Sequence, residues 1–350
     1  MLAVRCDTWM PYRDLGIADI PPPSAGPGQV RIAVHHAGVS FATSLVTEGR
    51  YQRKPPLPFS PGTEIAGVID QVAPDVTHLK PGDRVVAGID WGGHAEWAVT
   101  DAATVYRLPD ALPFDVAPQL PLSYGTSYAA LVWRARLQPG ETVLIHGAAG
   151  AVGLAAVAFA KALGATVVAT ASTAEKRALA REHGADRTIA LPSAPLPSAP
   201  LASATALEEL RAMLPRGADV IFDPIGGDVF DLSLRCVANS GRILVIGFAG
   251  GRVQRIPANI LLVKDVTVLG FNYGNYIGWG RTDERKRHEP AVRAAMEQIF
   301  AWCAEGKVRP VSSHRFPLRE YREAMETVLT RRSMGKVVLE MPIAERLRLG

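Results

Sequence analysis

The 350-residue sequence predicts an α/β fold in which a β-rich part is joined to a doubly wound parallel sheet. Three observations support this prediction. Up to about residue 120, short β-branched or alternating runs are separated by Pro and Gly turns. From residue 142, strand-like runs alternate with helical runs of about 10–14 residues, which is typical of βαβ units. A glycine turn, HGAAGAVG at 146–153, stands between the first of these strands and its helix.

The elements follow in order along the chain. The first part carries the strand-like runs VRIAV, EIAGVIDQV, DRVVAGI and HAEWAVT, and its first helical pattern is SYGTSYAALVWRARL at 123–137. The second part alternates through TVLIHG, AVGLAAVAFAKALG, TVVATAS, TAEKRALAREHG, GADRTIAL, LEELRAML, ADVIFDPIG, DVFDLSLRCV and GRILVIGF. The repeat LPSAP-LPSAP-LASAT at 191–205 interrupts it, and its Pro content and lack of charge predict a surface loop.

The tail reads VTVLGFN, a helix EPAVRAAMEQIFAWCAEG, a strand VRPVSSHRFP, a helix LREYREAMETVLTRR and a strand KVVLEM. We expect it to fold back onto the first domain. The predicted domains are therefore 1–122 with 271–350, and 123–270.

The composition and charge of the chain limit the classes of protein to which it can belong. The chain has 48% hydrophobic and 21% charged residues, and 38 basic against 34 acidic residues give a net charge of +4. The basic residues are scattered, and the run RTDERKR at 281–287 is mixed in sign, which favours a solvated turn over a nucleic-acid patch. With no long apolar run and no signal-peptide pattern, we expect a cytoplasmic protein without a membrane partner.

No metal site is expected. Cys6, Cys236 and Cys303 lie far apart and are interpreted as buried apolar residues, since a structural zinc site needs four clustered ligands. His35 and His36 are neighbours in a strand-like run, so their side chains are predicted to point to opposite faces of the sheet.

The glycine turn predicts a dinucleotide site. Gly150 lets the backbone turn tightly, and Gly153 lets the helix pack closely against the strand. The N–H groups at the helix start, around Ala151 and Val152, would then face a pyrophosphate.

The end of the second strand favours NADP(H) over NAD(H). An NAD site usually carries Asp or Glu there, but this chain has Ser172 and Thr173, followed by Lys176 and Arg177. Hydroxyls and cations suit a 2′-phosphate, which a carboxylate would repel. In the alternative interpretation, Ser172 and Thr173 only cap the next helix.

With these residues placed, the chain resembles the medium-chain dehydrogenase/reductase superfamily, and most closely its zinc-independent, zeta-crystallin-like NADPH:quinone oxidoreductases. The resemblance rests on ordered blocks, chiefly AGVSFATSLVTEGRYQRKPPLPFSPGTEIAGVI, SYGTSYAAL, HGAAGAVGLAAVAFAKALGATVVATAS, DVIFDPIGGDVF, GRILVIGFAGG and MGKVVLE. It implies a GroES-like β-rich catalytic domain, a Rossmann domain and a homodimer or tetramer, and VTVLGFN resembles the strand that pairs across the family's dimer interface.

The resemblance also shows where the chain departs from zinc-dependent relatives. Their Cys and His ligands are here Ser40 and Thr63, and hydroxyls are poor replacements for thiolate and imidazole. Alcohol oxidation, which needs the metal, is therefore disfavoured. Similar quinone reductases often have Asn and Asp where Ser40 and Thr43 stand. A Tyr-Arg pair that often holds the 2′-phosphate is absent, so Lys176 and Arg177 are expected to carry more of that pairing.

The remaining site residues are implied by the resemblance. Thr126, Gly247, Phe248, Phe271 and Asn272 would line the cofactor cleft, although Phe248 and Phe271 fit a core role equally well. Gly335 and Lys336 match a segment that approaches the cofactor.

Tyr51 occupies the position where similar 2-enoyl thioester reductases place a tyrosine proposed to protonate the substrate. It is interpreted either as this proton donor or as a wall of the cleft.

Three functions follow as alternatives. The first is a metal-free NADPH-dependent reductase of a quinone or another α,β-unsaturated carbonyl, with Ser40 and Tyr51 at the reacting side. The second is a 2-enoyl thioester reductase acting on CoA or carrier-protein substrates. The third is an NADPH-binding structural or RNA-contacting protein with little turnover, against which the scattered charge argues.

Overall fold

The computed structural model describes residues 1–191 and 204–343, and it divides into two compact units. The first unit contains residues 1–122, 274–301 and the described chain from Pro310 onward; the second contains 123–273 and 302–309. Residues 271–273 and 302–309, which the sequence assigned to the first domain, thus lie in the second unit. Residues 192–203 of the predicted Pro/Ala/Ser loop lie outside the described residues.

Strands and short helices make up most of the described chain. Its strands are β1 Leu2–Arg5, β2 Gly16–Asp19, β3 Gln29–Val39, β4 Glu64–Val72, β5 Arg84–Gly88, β6 Trp97–Asp101, β7 Val105–Arg107, β8 Thr142–Ile145, β9 Thr166–Ala171, β10 Arg187–Ala190, β11 Ala218–Asp223, β12 Val237–Val245, β13 Thr267–Gly270, β14 Ser312–Pro317 and β15 Lys336–Glu340. Its α-helices are α1 Phe41–Thr47, α2 Gly125–Ala129, α3 Ala151–Ala162, α4 Ala174–Glu182, α5 Ala204–Met213, α6 Asp228–Cys236, α7 Ala258–Lys264, α8 Arg285–Ala304 and α9 Tyr321–Leu329. Two π-helical turns, Leu120–Tyr124 and Ala130–Arg134, flank α2.

The first unit is built on a mostly antiparallel sheet. Its strand order is β14-β15-β3-β4-β5-β7, and β6 also pairs with β3. The tail enters this sheet because β15 pairs antiparallel with β3, with Val337 opposite Val39 and Glu340 opposite His36. Strand β3 is buried along most of its length, as expected for a strand covered on both faces.

The second unit is a six-stranded parallel sheet of order β10-β9-β8-β11-β12-β13, which is the doubly wound order 3-2-1-4-5-6. Helix α3 is rich in Ala, Val and Leu, and most of its side chains are buried. In such a sheet the strand order reverses beside the first strand, here between β8 and β11. Ligands bind at that point, outside the carboxyl ends of the strands. The predicted α/β fold, with a GroES-like and a Rossmann-like part, is confirmed.

Two α-helices of the described residues were not predicted. Helix α1 is short, and helix α7 has no buried residue, so neither carries the amphipathic pattern that predicts a helix from sequence. No helix among residues 1–191 and 204–343 is long and apolar enough to cross a bilayer.

Candidate functional site

The glycine turn joins β8 to α3 at the carboxyl edge of the parallel sheet. Gly150 is the N-cap residue of α3, and no side chain caps the helix. The first helical hydrogen bond runs from the Leu154 N–H to the Gly150 carbonyl at 2.8 Å, so the N–H groups of Ala151 and Val152 have no acceptor within the helix. This turn therefore offers backbone donors and the positive end of a helix dipole to an anion such as a pyrophosphate.

Gly153 is required by the close approach of α3 to the turn. A Cβ atom at this position would lie 2.3 Å from the Gly147 carbonyl oxygen and 2.9 Å from the Ala148 Cα. Gly147 has a φ of +59°, in the left-handed region that favours glycine. The residue types of the motif thus follow from its backbone geometry, and the cradle they form fits a dinucleotide.

His146, the first residue of the motif, belongs to the core. Its Nδ1 lies 3.0 Å from the Thr170 hydroxyl and its Nε2 lies 3.1 Å from the Ser233 hydroxyl. Complete burial lowers the pKa of His146 from its usual 6.5 to about 3. A neutral imidazole fixed between two hydroxyls ties β8 to β9 and α6 and is not available to a ligand.

The carboxyl end of β9 has hydroxyls and cations in place of a carboxylate. Thr173 is the N-cap residue of α4, and its hydroxyl accepts a hydrogen bond from the Lys176 N–H at 3.2 Å. Arg177 folds back over the strand end, where its guanidinium donates to the carbonyls of Ala171 and Ser172 at 3.4 Å each. Thr173 therefore caps the helix as the alternative interpretation stated, while Arg177 lies where a 2′-phosphate would need a cation.

The predicted residues after β12 and β13 lie at the same edge of the sheet. Gly247 and Phe248 follow β12, and Phe248 is 41% exposed. Phe271 and Asn272 follow β13; Phe271 is 9% exposed, whereas Asn272 is exposed. Phe248 is thus open to a ligand, and Phe271 is largely a core residue.

Asp223, at the end of β11, was not singled out from the sequence. Its carboxylate accepts hydrogen bonds from the N–H groups of Ile225 and Gly226 at 2.8 and 2.9 Å, which fixes the turn between β11 and α6. Burial raises the pKa of Asp223 to about 6, although these two hydrogen bonds lower it. The side chain shapes the loop beside the predicted pyrophosphate position.

Thr126 is placed near the start of α3 by its neighbours. The adjacent Ser127 hydroxyl donates to the Val152 carbonyl at 2.7 Å, which ties α2 to the first turn of α3. Gly125 is packed so closely on Tyr273 that a Cβ atom there would lie 2.7 Å from the phenol oxygen. The structure thus brings Thr126 together with the glycine turn and with the chain beside Asn272.

A separate candidate site is a cavity in the first unit. It encloses about 470 Å³ of empty space, part of it open to solvent, and its lining is mostly apolar. The lining residues are Ser40, Ala42, Thr43, Val46, Tyr51, Arg53, Pro55, Phe59, Pro61, Gly62, Thr63, Asp90, Trp91 and Trp279. Ser40 and Tyr51 are thus brought together, and the Ser40 and Thr43 hydroxyls lie 3.1 Å apart.

Burial raises the pKa of Tyr51 above its usual value of 10, and the charge of Arg53 lowers it. The phenol is therefore in its protonated form at neutral pH, as a proton donor must be. Sequence reasoning missed Arg53, Asp90, Trp91 and Trp279, which come from separate segments of the chain.

Ser40 and Thr63, which the resemblance aligns with the zinc ligands of metal-dependent relatives, line this same cavity. Among residues 1–191 and 204–343, no group of three or more His, Cys, Asp and Glu side chains could hold a metal ion. Hydroxyl oxygens in a mostly apolar cavity are a donor set that does not fit a resident zinc ion.

The prediction for the histidine pair is wrong. The rings of His35 and His36 stack with centroids 4.8 Å apart, and their Nδ1 atoms lie 2.8 Å from each other. The pairing of β3 with β4 shifts register between Val34 and His36, and such an irregularity breaks the strict alternation of side chains.

Lys336 is buried inside the first unit. Its ammonium forms an ion pair with Glu64, and the two side chains are 4% and 2% exposed. Gly335, which precedes it, has a φ of +66°, and a Cβ atom there would lie 2.3 Å from the Val311 carbonyl oxygen. In the described structure the Lys336 charge is thus directed at Glu64, so its predicted approach to the cofactor stays a prediction.

Comparisons with known proteins agree with this geometry. The family described as alcohol dehydrogenase GroES-like domain matches residues 26–110, and that described as zinc-binding dehydrogenase matches residues 151–288. The chain is 38% identical over 328 residues to quinone oxidoreductase-like protein 2 of Rattus norvegicus, covering 93% of this chain and 89% of that protein.

Two further likenesses bear on the site. The crystal structure of Escherichia coli quinone oxidoreductase complexed with NADPH superposes with a TM-score of 0.84 at 27% identity, covering 97% of this chain and all of that one. The chain is also 36% identical over 318 residues to a polyketide synthase of Streptomyces halstedii, covering 91% of this chain and 5% of that protein.

Proposed function

Because this chain belongs to the zinc-independent, quinone oxidoreductase type of the medium-chain dehydrogenase/reductase superfamily, we propose that it is an NADPH-dependent oxidoreductase. Its acceptor is a quinone or another α,β-unsaturated carbonyl, and no metal takes part. The observation that carries the proposal is the mostly apolar cavity in which Ser40 and Thr63 replace the zinc ligands while Tyr51 and Arg53 supply the polar groups.

The second unit binds the cofactor in this proposal. The turn at Gly150 and Gly153 presents the N–H groups of Ala151 and Val152 to the pyrophosphate, and Arg177 pairs with the 2′-phosphate. When bound, NADPH supplies a hydride, which carries two electrons, to the acceptor.

The first unit holds the acceptor. Its aromatic and aliphatic walls limit the access of water, which strengthens the action of Arg53 and Tyr51 on an oxygen that gains negative charge. The acceptor carbon gains the hydride, the π electrons move to oxygen, and one proton completes the reduction. For a quinone, solvent can supply this proton; for an enolate, the Tyr51 phenol is the internal donor.

The test is loss of NADPH absorbance in the presence of chelator, with an ortho-quinone, a para-quinone, a simple enone and crotonyl-CoA as acceptors and NADH as the control. We expect turnover of quinones or the enone that chelator does not reduce and that NADH supports less well. Tight NADPH binding without turnover of any acceptor would contradict the proposal and favour the non-catalytic alternative, for which salt-sensitive RNA binding would be the second measurement.

Reduction of 2-enoyl thioesters is the second candidate. It is favoured by Tyr51, whose protonated phenol lines the acceptor cavity, and by the likeness to a segment of a polyketide synthase. It predicts that crotonyl-CoA is the preferred acceptor and that Tyr51→Phe abolishes its reduction. Crotonyl-CoA reduction that is unchanged in Tyr51→Phe, or that is slower than quinone turnover, would contradict this candidate.

We also propose that the protein is a cytoplasmic homodimer formed through the β13 edge. Strand β13 ends the parallel sheet of the described residues, and the neighbouring helix α7 exposes Leu262 and Val263, each 83% exposed. An unpaired edge beside exposed apolar side chains suits pairing with a second copy. Light scattering should show a dimer that Leu262→Asp with Val263→Asp converts to monomer, whereas Leu329→Asp at another partly exposed leucine should leave it intact.

A further inference from the structure

One carboxylate that lines the acceptor cavity contacts three donors in distant parts of the chain. Asp90 follows β5, and its Oδ1 lies 2.8 Å from an Arg53 nitrogen and accepts a hydrogen bond from the Trp279 indole N–H at 2.9 Å. Arg285 donates to both oxygens of Asp90 at 3.1 Å. Asp90 is therefore shared between two guanidinium groups and one indole.

Arg285 differs from what its sequence context predicts. It lies in the run at 281–287 that was interpreted as a solvated turn, yet its side chain is only 7% exposed, and its Nε donates to Asp283 at 2.9 Å. The solvated-turn prediction is wrong for this residue, because two carboxylates satisfy its donors and allow burial. Arg285 in turn fixes the orientation of Asp90.

Two indole rings contact the faces of the Arg53 guanidinium, while Asp90 contacts its edge. Its central carbon lies over the rings of Trp91 and Trp279, 5.2 and 5.4 Å from their centroids. Both distances are within the range of cation–π attraction. Asp90 contacts two of the three nitrogens of the Arg53 guanidinium. One nitrogen contacts the Asp90 carboxylate, and another donates to the Asp90 backbone carbonyl at 3.3 Å. Arg53 is thus a cation of fixed position that retains further N–H donors.

Arg53 is also the one cation among the described residues that line the acceptor cavity. Its side chain is 23% exposed, so most of its surface is removed from solvent. A preorganised donor in a cavity that excludes water stabilises negative charge more strongly than the same donor in water, because it does not need to reorient. The walls beside it are flat, since they are formed by two indoles.

We propose that Arg53 is the group that stabilises the oxyanion formed on the acceptor, and that Asp90 is the positioning residue that holds it there. The substrate class is a planar acceptor whose two-electron reduction leaves a negative charge on oxygen before a proton arrives. Arg53 donates hydrogen bonds to that oxygen and transfers no proton. This inference rests on the proposed reductase function and concerns the acceptor half of the same site.

The test uses an oxyanion mimic and needs no turnover. Isothermal titration of the cofactor-free protein measures the dissociation constants of 4-nitrophenolate, above the pKa of the phenol, and of uncharged 4-nitroanisole. We expect the wild type to prefer the phenolate, and Arg53→Gln to weaken phenolate binding about 10- to 100-fold, the range for a hydrogen bond to a charged group, with little change for the ether. Asp90→Asn should also reduce the preference, because Arg53 is then no longer fixed.

Controls separate the role of charge from that of folding. Arg84 is also ion-paired and stacked on a ring, 4.6 Å from the Phe114 centroid, but it lies outside the cavity, so Arg84→Gln should bind both probes as the wild type does. Arg53→Lys keeps the charge and should retain part of the preference. Melting temperatures show which variants fold.

For Asp90→Asn, the positioning role predicts a lower kcat with a nearly unchanged KM. A merely structural role would lower the melting temperature without this split between kcat and KM.

The outcomes distinguish the inference from the function it rests on. A wild type that binds both probes equally, or a folded Arg53→Gln that keeps the phenolate preference, would overturn the inference even if quinones are reduced. If the preference depends on Arg53 but NADPH is oxidised by no acceptor, the oxyanion site stands and the proposed reductase function fails.

Discussion

Replacing Gly153 by alanine tests the link between the glycine turn and cofactor binding. The new methyl group would lie 2.3 Å from the Gly147 carbonyl oxygen and 2.9 Å from the Ala148 Cα, and both neighbours are backbone atoms. The turn must therefore move, because no side chain can rotate away. Overpacking of this kind costs about 1–3 kcal/mol.

The same chain provides a matched control. A Cβ atom at Gly150 would meet only the Gly147 carbonyl oxygen at 3.5 Å, an ordinary contact, and the φ of −77° at this residue suits alanine. Gly150→Ala is therefore expected to cost only a few tenths of a kcal/mol to about 1 kcal/mol through the poorer N-cap. The two variants add the same atoms to the same turn.

The assay is thermal unfolding of the cofactor-free protein, followed by titration with NADPH. For a unit of this size, 1–3 kcal/mol corresponds to a fall in melting temperature of about 2–12 °C for Gly153→Ala. Displacement of the N–H groups that we propose bind the pyrophosphate should weaken NADPH binding about 10- to 100-fold. A Gly153→Ala protein that melts and binds NADPH as the wild type does would refute the structural explanation of the motif.

Three further predictions concern buried charge. Lys336→Met should lower the free energy of unfolding by about 3–5 kcal/mol, because it leaves Glu64 buried and unpaired. Adding Glu64→Leu should recover much of this loss, as measured by urea unfolding. Equal stability of the wild type and Lys336→Met would contradict this prediction. His146 has a folded pKa of about 3, below its unfolded value of 6.5, so its contribution to stability is present above pH 6.5 and is lost as the pH drops towards 3. His146→Gln should flatten that part of the pH–stability curve. An unchanged slope would count against a buried, neutral His146. The pH dependence from Asp223 has the opposite sign, since its folded pKa of about 6 exceeds its unfolded value of 3.8. Relative to the wild type, Asp223→Asn should therefore gain stability as the pH rises from 4 to 6. A constant difference in stability over this range would show that the carboxyl is not buried as described.

The geometry of the glycine turn could be predicted because its signals are local. The glycine turn, the strand before it and the helix after it are contiguous, and the absence of a carboxylate after β9 is visible within a few residues. The alternation of strands and helices then fixes the carboxyl ends of the parallel strands at one edge.

Other features depend on contacts that no local pattern encodes. The stacked rings of His35 and His36 result from an irregular pairing of β3 with β4, and the Lys336–Glu64 pair joins residues 272 positions apart. Neither partner strand can be chosen from the residues around one of these positions alone.

The acceptor cavity is the clearest case. Arg53, Asp90, Trp279 and Arg285 lie in three separate stretches of sequence, and a charged run such as 281–287 reads as solvent-exposed until its carboxylate partners are known. The sequence by itself determined the two-part fold and the glycine turn, because these follow from residue type and short-range periodicity. The assignment of Ser40 and Thr63 to the zinc-ligand positions is implied by the resemblance to a family. The tertiary structure alone decided which charges are buried and where Arg53 is held, because burial of a charge depends on donors and rings that only long-range packing brings together.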